Sequence, residues 1–196
     1  MNMPPQPSSG ILSALAMSRL SAGADTLLLK PAPTLLMGRC FYYPVLGVSQ
    51  SLMHTPNQIT GLAWLTPRAL LLHFQALPDA VTFHIDRARL HATLAWSASY
   101  ALCCATRPTA PIVVSYAYSS GNTKGDAINN LLNLSELAPQ LTGNVTITVY
   151  DARRQLLSGY YEVRAPDQRD PTTSAPVAPT CTIQLAGDFD QVKVRS

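Results

Sequence analysis

The chain has 196 residues, 47% of them hydrophobic and 13% charged, with a formal net charge of +3. That length suits one domain, or one domain with extended tails, and it supplies ample material for a core. The charged share is about half the usual one. Apart from Arg87/Arg89 and Arg153/Arg154 the cations are scattered, which argues against a surface that tracks phosphates or a charged tail.

The N-terminal residues 1–10 (MNMPPQPSSG) contain three prolines and no charged n-region. They read as a flexible arm rather than a secretory signal. Residues 11–20 (ILSALAMSRL) have the spacing of a short amphipathic helix, with Ile11, Leu12, Leu15, Ala16 and Leu20 towards one side. Leu15 and Leu20 are candidate interface residues on that stripe. Residues 24–30 and 34–37 are apolar runs broken by Pro31 and Pro33, too short for strands in the middle of a sheet. These observations delimit an N-terminal arm over 1–38.

A β domain is expected over 39–164. Residues 41–48 (FYYPVLGV) predict a strand with Pro44 at an edge or bulge, and residues 59–65 predict another. Residues 69–86 read as a hairpin. Leu70, Leu72 and Phe74 share one face of its first arm, and Val81, Phe83 and Ile85 share one face of its second. Leu77-Pro78-Asp79-Ala80 supplies the turn between them. Residues 91–104 carry no charge but include His91, Ser97 and Ser99. They are too short and polar for a membrane helix, and their period-two alternation predicts one long strand. Residues 112–118 are a strand, and residues 119–126 (SSGNTKGD) a polar loop. Residues 127–137 place Ile128, Leu131 and Leu134 at helical spacing after Asp126, which predicts a short helix with an N-cap.

The clearest local signal is residues 144–164. Val145, Ile147 and Val149 alternate with Thr146, Thr148 and Tyr150; after a polar turn, Leu157, Tyr161 and Val163 alternate with Ser158, Tyr160, Glu162 and Arg164. This is an antiparallel hairpin with one buried face. The last segment, 165–196, opens with Pro166, Pro171, Pro176 and Pro179, the composition of a linker or long surface loop. Two short β-like pieces at 181–185 and 191–194 follow. They either return to the main sheet or add to a neighbouring chain. The resulting fold class is mainly β: an antiparallel β-sandwich or jelly-roll-like domain of about seven or eight strands, with one short helix and extended terminal segments.

Chemistry is sparse in this pattern. Cys40, Cys103, Cys104 and Cys181 form no CxxC pair, so they read as buried free thiols rather than zinc ligands or a redox motif. His84 and Asp86 share a strand face, with His91 nearby; a metal-dependent hydrolase built on these three is one functional alternative. The loop at 120–126 lacks the GxxxxGK[ST] order, and GxSxG and HExxH are also missing. A small-molecule or glycan-binding module using that loop and exposed tyrosines is the second alternative. The sequons at Asn133 and Asn144 lack an accompanying export signal. Tyr42/Tyr43 and Tyr160/Tyr161 each put one ring on each face of a strand, and tyrosine suits interfaces because an apolar body carries a polar tip.

The preferred expectation is a non-enzymatic structural protein without metal or cofactor that forms a homo- or hetero-oligomer with protein partners, a virion or phage component among the options. Specific nucleic-acid binding and a membrane span are not expected. The sequence leaves localisation open between virion and cytoplasm.

Overall fold

The computed structural model describes residues 34–90, 96–102, 112–121, 127–138, 140–175 and 177–196. Eleven strands run through them: β1 (Leu35–Tyr43), β2 (Val48–His54), β3 (Thr60–Leu65), β4 (Ala69–Ala76), β5 (Asp79–Asp86), β6 (Ala98–Ala101), β7 (Ile112–Gly121), β8 (Ala127–Asn133), β9 (Thr142–Asp151), β10 (Leu156–Arg169) and β11 (Thr180–Arg195). One helical turn, α1 (Leu134–Leu137), follows β8. The first sheet has the order β6-β9-β10-β11-β1-β2 and the second β3-β4-β5-β7-β8. All pairs within each are antiparallel. The last residues of β11 leave the first sheet and pair in parallel with β3, Val194 opposite Ala63 and Arg195 opposite Trp64. This one long strand therefore joins two layers, and the result is sandwich-like rather than a closed barrel.

Alternation explains how the layers meet. Leu35, Met37, Phe41, Ile183, Leu185 and Phe189 point inward from the first sheet, and Leu70, Leu72, Phe74, Val81, Phe83 and Ile85 from the second. Aromatic rings bridge the gap. Tyr161 stacks on Phe74 with centroids 5.3 Å apart and meets Phe83 at 5.0 Å, while Phe189 lies 5.1 Å from Phe74. Burying each such side chain is worth roughly 1.5–3 kcal/mol, so these contacts hold the sheets together. The Tyr161 hydroxyl is buried and accepts or donates no hydrogen bond. Removing a buried, unsatisfied polar group relieves its desolvation cost. Tyr161→Phe is therefore expected to leave the unfolding free energy unchanged or raise it by about 1 kcal/mol. A clear loss of stability on urea denaturation would show that the hydroxyl is satisfied in solution.

Both predicted hairpins form, at β4–β5 and β9–β10. Several local expectations are corrected. Residues 35–37 belong to a central strand, β1, flanked by β11 and β2; its continuous ladder on both sides outweighs the nearby prolines, and Pro44 falls in the turn after it. Residues 127–133 are strand rather than helix. β7 offers β8 an unbroken antiparallel register from Ser115–Asn133 to Gly121–Ala127, and a segment with three asparagines has little helical propensity to set against it. Within the described residues of 127–138, α-helix is confined to the four residues of α1, which begins at Leu134 rather than after Asp126. The long strand expected over 91–104 is reduced, among its described residues, to Ala98–Ala101. Trp96 sits at a φ of 67° and stacks on Tyr150 with centroids 3.9 Å apart, so the chain turns there.

The C-terminal region departs furthest from its composition. β10 runs on through Pro166, because a register shift between Ala165 and Gln168 places the proline in a bulge, where no ladder N–H is required. The two short β-like pieces are one 16-residue strand at the centre of the fold. Gly187, Asp188 and Asp190 hide it in the sequence by breaking the apolar alternation. A second register shift, between Ser158 and Gly159, turns Val149 outward, where it is 55% exposed.

Candidate functional site

Two features of the described residues bear on function: a closed polar cluster between the sheets and, at the surface, an exposed and charge-free turn and strand over residues 44–54. The cluster forms where inward parity falls on polar residues. Arg39 shares the inward face of β1 with Met37 and Phe41. His54, the last residue of β2, pairs with Met37 and so points the same way. From the second sheet, Asp79 opens β5 in phase with Val81 and Phe83, and Tyr116 shares the inward face of β7 with Val114.

The four side chains converge on one carboxylate. Arg39 Nε donates to Asp79 Oδ2 at 2.8 Å and His54 Nε2 to the same oxygen at 2.7 Å. The Tyr116 hydroxyl donates to Asp79 Oδ1. Arg39 Nη1 is buried without a hydrogen bond; its guanidinium carbon lies 4.3 Å from the Phe41 ring centre and 5.5 Å from that of Tyr118, so the aromatic faces share the cation. Burial first, and then the Asp79 carboxylate, push the Tyr116 hydroxyl far above the ordinary tyrosine range. Asp79, His54 and Tyr116 are 1%, 6% and 0% exposed. The cluster thus ties β1 and β2 to β5 and β7, closed off from solvent. Its chemistry is that of a structural tie.

A second, smaller set of buried polar contacts closes the β10–β11 connection. Tyr43 OH donates to Asp170 Oδ2 at 3.0 Å, and Thr172 donates from both N and Oγ1 to Oδ1 at 2.8 and 2.7 Å. Cys40 and Cys181 are buried and free; Cys103 and Cys104 lie outside the described residues. Burial, with the Asp170 carboxylate and Cys40 adding to it, pushes the Cys181 thiol up to about 12. Burial likewise raises the Tyr43 and Tyr161 hydroxyls. These groups keep their protons in the fold and lose them more readily in the unfolded chain. The Cys181 contribution is fully present below the ordinary thiol value of 9.0 and is lost as pH rises towards 12, and the two tyrosines begin to lose theirs above 10.0. Urea midpoints are therefore expected to fall steadily between pH 9 and 12, less steeply in Cys181→Ala; a flat profile would contradict these burials.

The residues singled out from sequence are dispersed. His84 and Asp86 lie exposed on the outward face of β5, in a shallow groove with Pro67, Arg68, Arg87 and Val113. Asp86 Oδ1 accepts from the Ala88 N–H at 2.9 Å and caps a 3-10 turn. His91 is outside the described residues. No group of three or more His, Cys, Asp and Glu side chains among the described residues is placed to hold a metal ion. Tyr43 and Tyr161 point inward and are 4% and 1% exposed. Tyr42 and Tyr160 sit half-buried on the outer face of the first sheet. Leu15, Leu20 and loop residues 122–126 lie outside the described residues. Among those that are described, no helix is long and apolar enough to cross a membrane.

The surface feature lies at the β1–β2 hairpin. No Lys, Arg, Asp or Glu occurs between Arg39 and Arg68. Within this neutral stretch Val45 is 90% exposed, Leu46 65%, Val48 50% and Met53 41%. Residues 44–47 form the turn, and β2 buries only His54. The other exposed large apolar side chains, such as Leu77, Leu131 and Val177, are scattered over separate elements. Sequence reasoning does not find the closed cluster: it places Asp79 in the turn 77–80 and gives Arg39 and His54 no role. Asp79 two residues before Val81, and Arg39 two before Phe41, were the available signals. Comparison with models of known protein families finds no match for this chain, and comparison with curated proteins finds none either.

Proposed function

We propose that this chain is a non-enzymatic structural protein that acts by assembling with itself or with other chains. The carrying observation is the charge-free stretch 40–67, in which Val45, Leu46, Val48 and Met53 of the β1–β2 turn and β2 are exposed. Val45 and Leu46 are contiguous in the turn, and contiguous exposed apolar side chains mark interaction sites more often than single ones do. The half-buried Tyr42 and Tyr160 on the adjoining sheet face add amphipathic contact area. The buried polar residues support this reading from the other side, since they are spent on holding the layers together.

Light scattering after size exclusion tests the proposal on the full chain and on Val45→Asp/Leu46→Asp. The full chain is expected to elute as an assembly, and the charged turn to reduce its mass. A chain that stays at 21.1 kDa, and that also purifies alone from its own source, would contradict the proposal.

A further inference from the structure

The hairpin that carries the assembly reading also shows which part of it bonds and to what. Among the described residues β2 pairs with β1 alone, in an unbroken register from Met37–His54 to Tyr43–Val48. Its outer edge therefore presents a row of backbone donors and acceptors. Folded proteins normally blunt such an edge with charges, proline, a bulge or brevity. β2 (VSQSLMH) has no charge, no proline and no bulge over its seven residues. The other edges differ: that of β3 is taken at Ala63 and Trp64 by the end of β11. β6 has only four residues. β8 carries a loop against it, with Asn130 Nδ2 donating to the carbonyls of Pro171 at 2.7 Å and Thr173 at 3.3 Å.

We propose, resting on the assembly reading above, that β2 is a self-pairing edge: two copies of this chain join antiparallel through Val48–His54 about a two-fold axis at Ser51. Centring on Ser51 pairs the whole strand, Val48 with His54, Ser49 with Met53 and Gln50 with Leu52. Every pair is uncharged, so the strand meets itself without the like-charge opposition that penalises most symmetric edges. Neutrality also removes the electrostatic complement that a charged partner strand would need. In this arrangement the exposed Val45 and Leu46 of each copy lie beside the exposed 3-10 turn Pro56–Gln58 of the other, which extends the contact beyond the strands.

Sedimentation of the full chain, of Ser51→Lys, of Ser51→Glu and of an equal mixture of the two variants tests this. Ser51 is exposed, and matching thermal melts confirm that both variants fold. The wild type is expected to dimerise, each variant alone to dimerise about fivefold more weakly because like charges then stand directly opposite, and the mixture to recover the wild-type affinity. A monomeric wild type overturns the self-pairing, while co-purification with a different chain would leave the assembly reading standing. An assembled wild type with variants that match it, or with a mixture no tighter than its components, overturns the β2 axis alone.

Discussion

Replacing Asp79 with alanine is expected to lower the unfolding free energy by about 3–5 kcal/mol, the usual cost of removing one partner from a buried ion pair. Asp79 accepts from Arg39, His54 and Tyr116, so alanine strands three donors at once, one of them a guanidinium with a side chain only 11% exposed. Asn at this position keeps the shape but not the charge, and is expected to fall between wild type and alanine. Removing both charges together, as Arg39→Met/Asp79→Leu, is expected to cost less than the two single changes summed, because no isolated charge is left behind. Urea denaturation of wild type, Asp79→Ala, Asp79→Asn, the single changes Arg39→Met and Asp79→Leu, and the double change measures all of this. An Asp79→Ala loss below about 1 kcal/mol, the scale of a surface pair, would mean that the cluster is open to water.

Gly187→Ala is the second large effect, expected at about 3 kcal/mol, the upper end for overpacking a core. Gly187 stands between Met37 and Tyr161 in adjacent strands. A Cβ there would come within 2.5 Å of the Leu36 carbonyl oxygen and of the Tyr161 ring carbon and hydroxyl. The ring has little freedom, since it is already stacked on Phe74 and packed on Phe83. The carbonyl belongs to the β1 backbone, which cannot move without disturbing its ladders to β11 and β2. A melting temperature unchanged by Gly187→Ala would contradict this packing of β1, β10 and β11.

How far the sequence discloses this structure depends on where alternation is clean. Val81-Phe83-Ile85 and Val145-Ile147 announce their hairpins because apolar residues keep to one parity. β11 is hidden because Gly187 leaves room for a tyrosine from the neighbouring strand, and no apolar residue marks the place. β8 is hidden for a different reason: Ile128, Leu131 and Leu134 satisfy a helical period by chance, while what decides is the register with β7. The tyrosine pairs divide between faces as alternation requires, but which ring faces inward depends on the sandwich. The closed cluster illustrates the same limit. Arg39, His54 and Asp79 acquire meaning once β1, β2 and β5 are stacked, and no spacing in the chain relates them. The β1–β2 surface was partly legible in the absence of charge between Arg39 and Arg68; its apolar turn was absorbed into a supposed strand over 41–48.

Sedimentation equilibrium of the 196-residue chain over a wide concentration range tests assembly most directly. The account predicts a mass that climbs from 21.1 kDa to that of the dimer as concentration rises. A mass fixed at 21.1 kDa throughout, from protein that also leaves its native source alone, would contradict it.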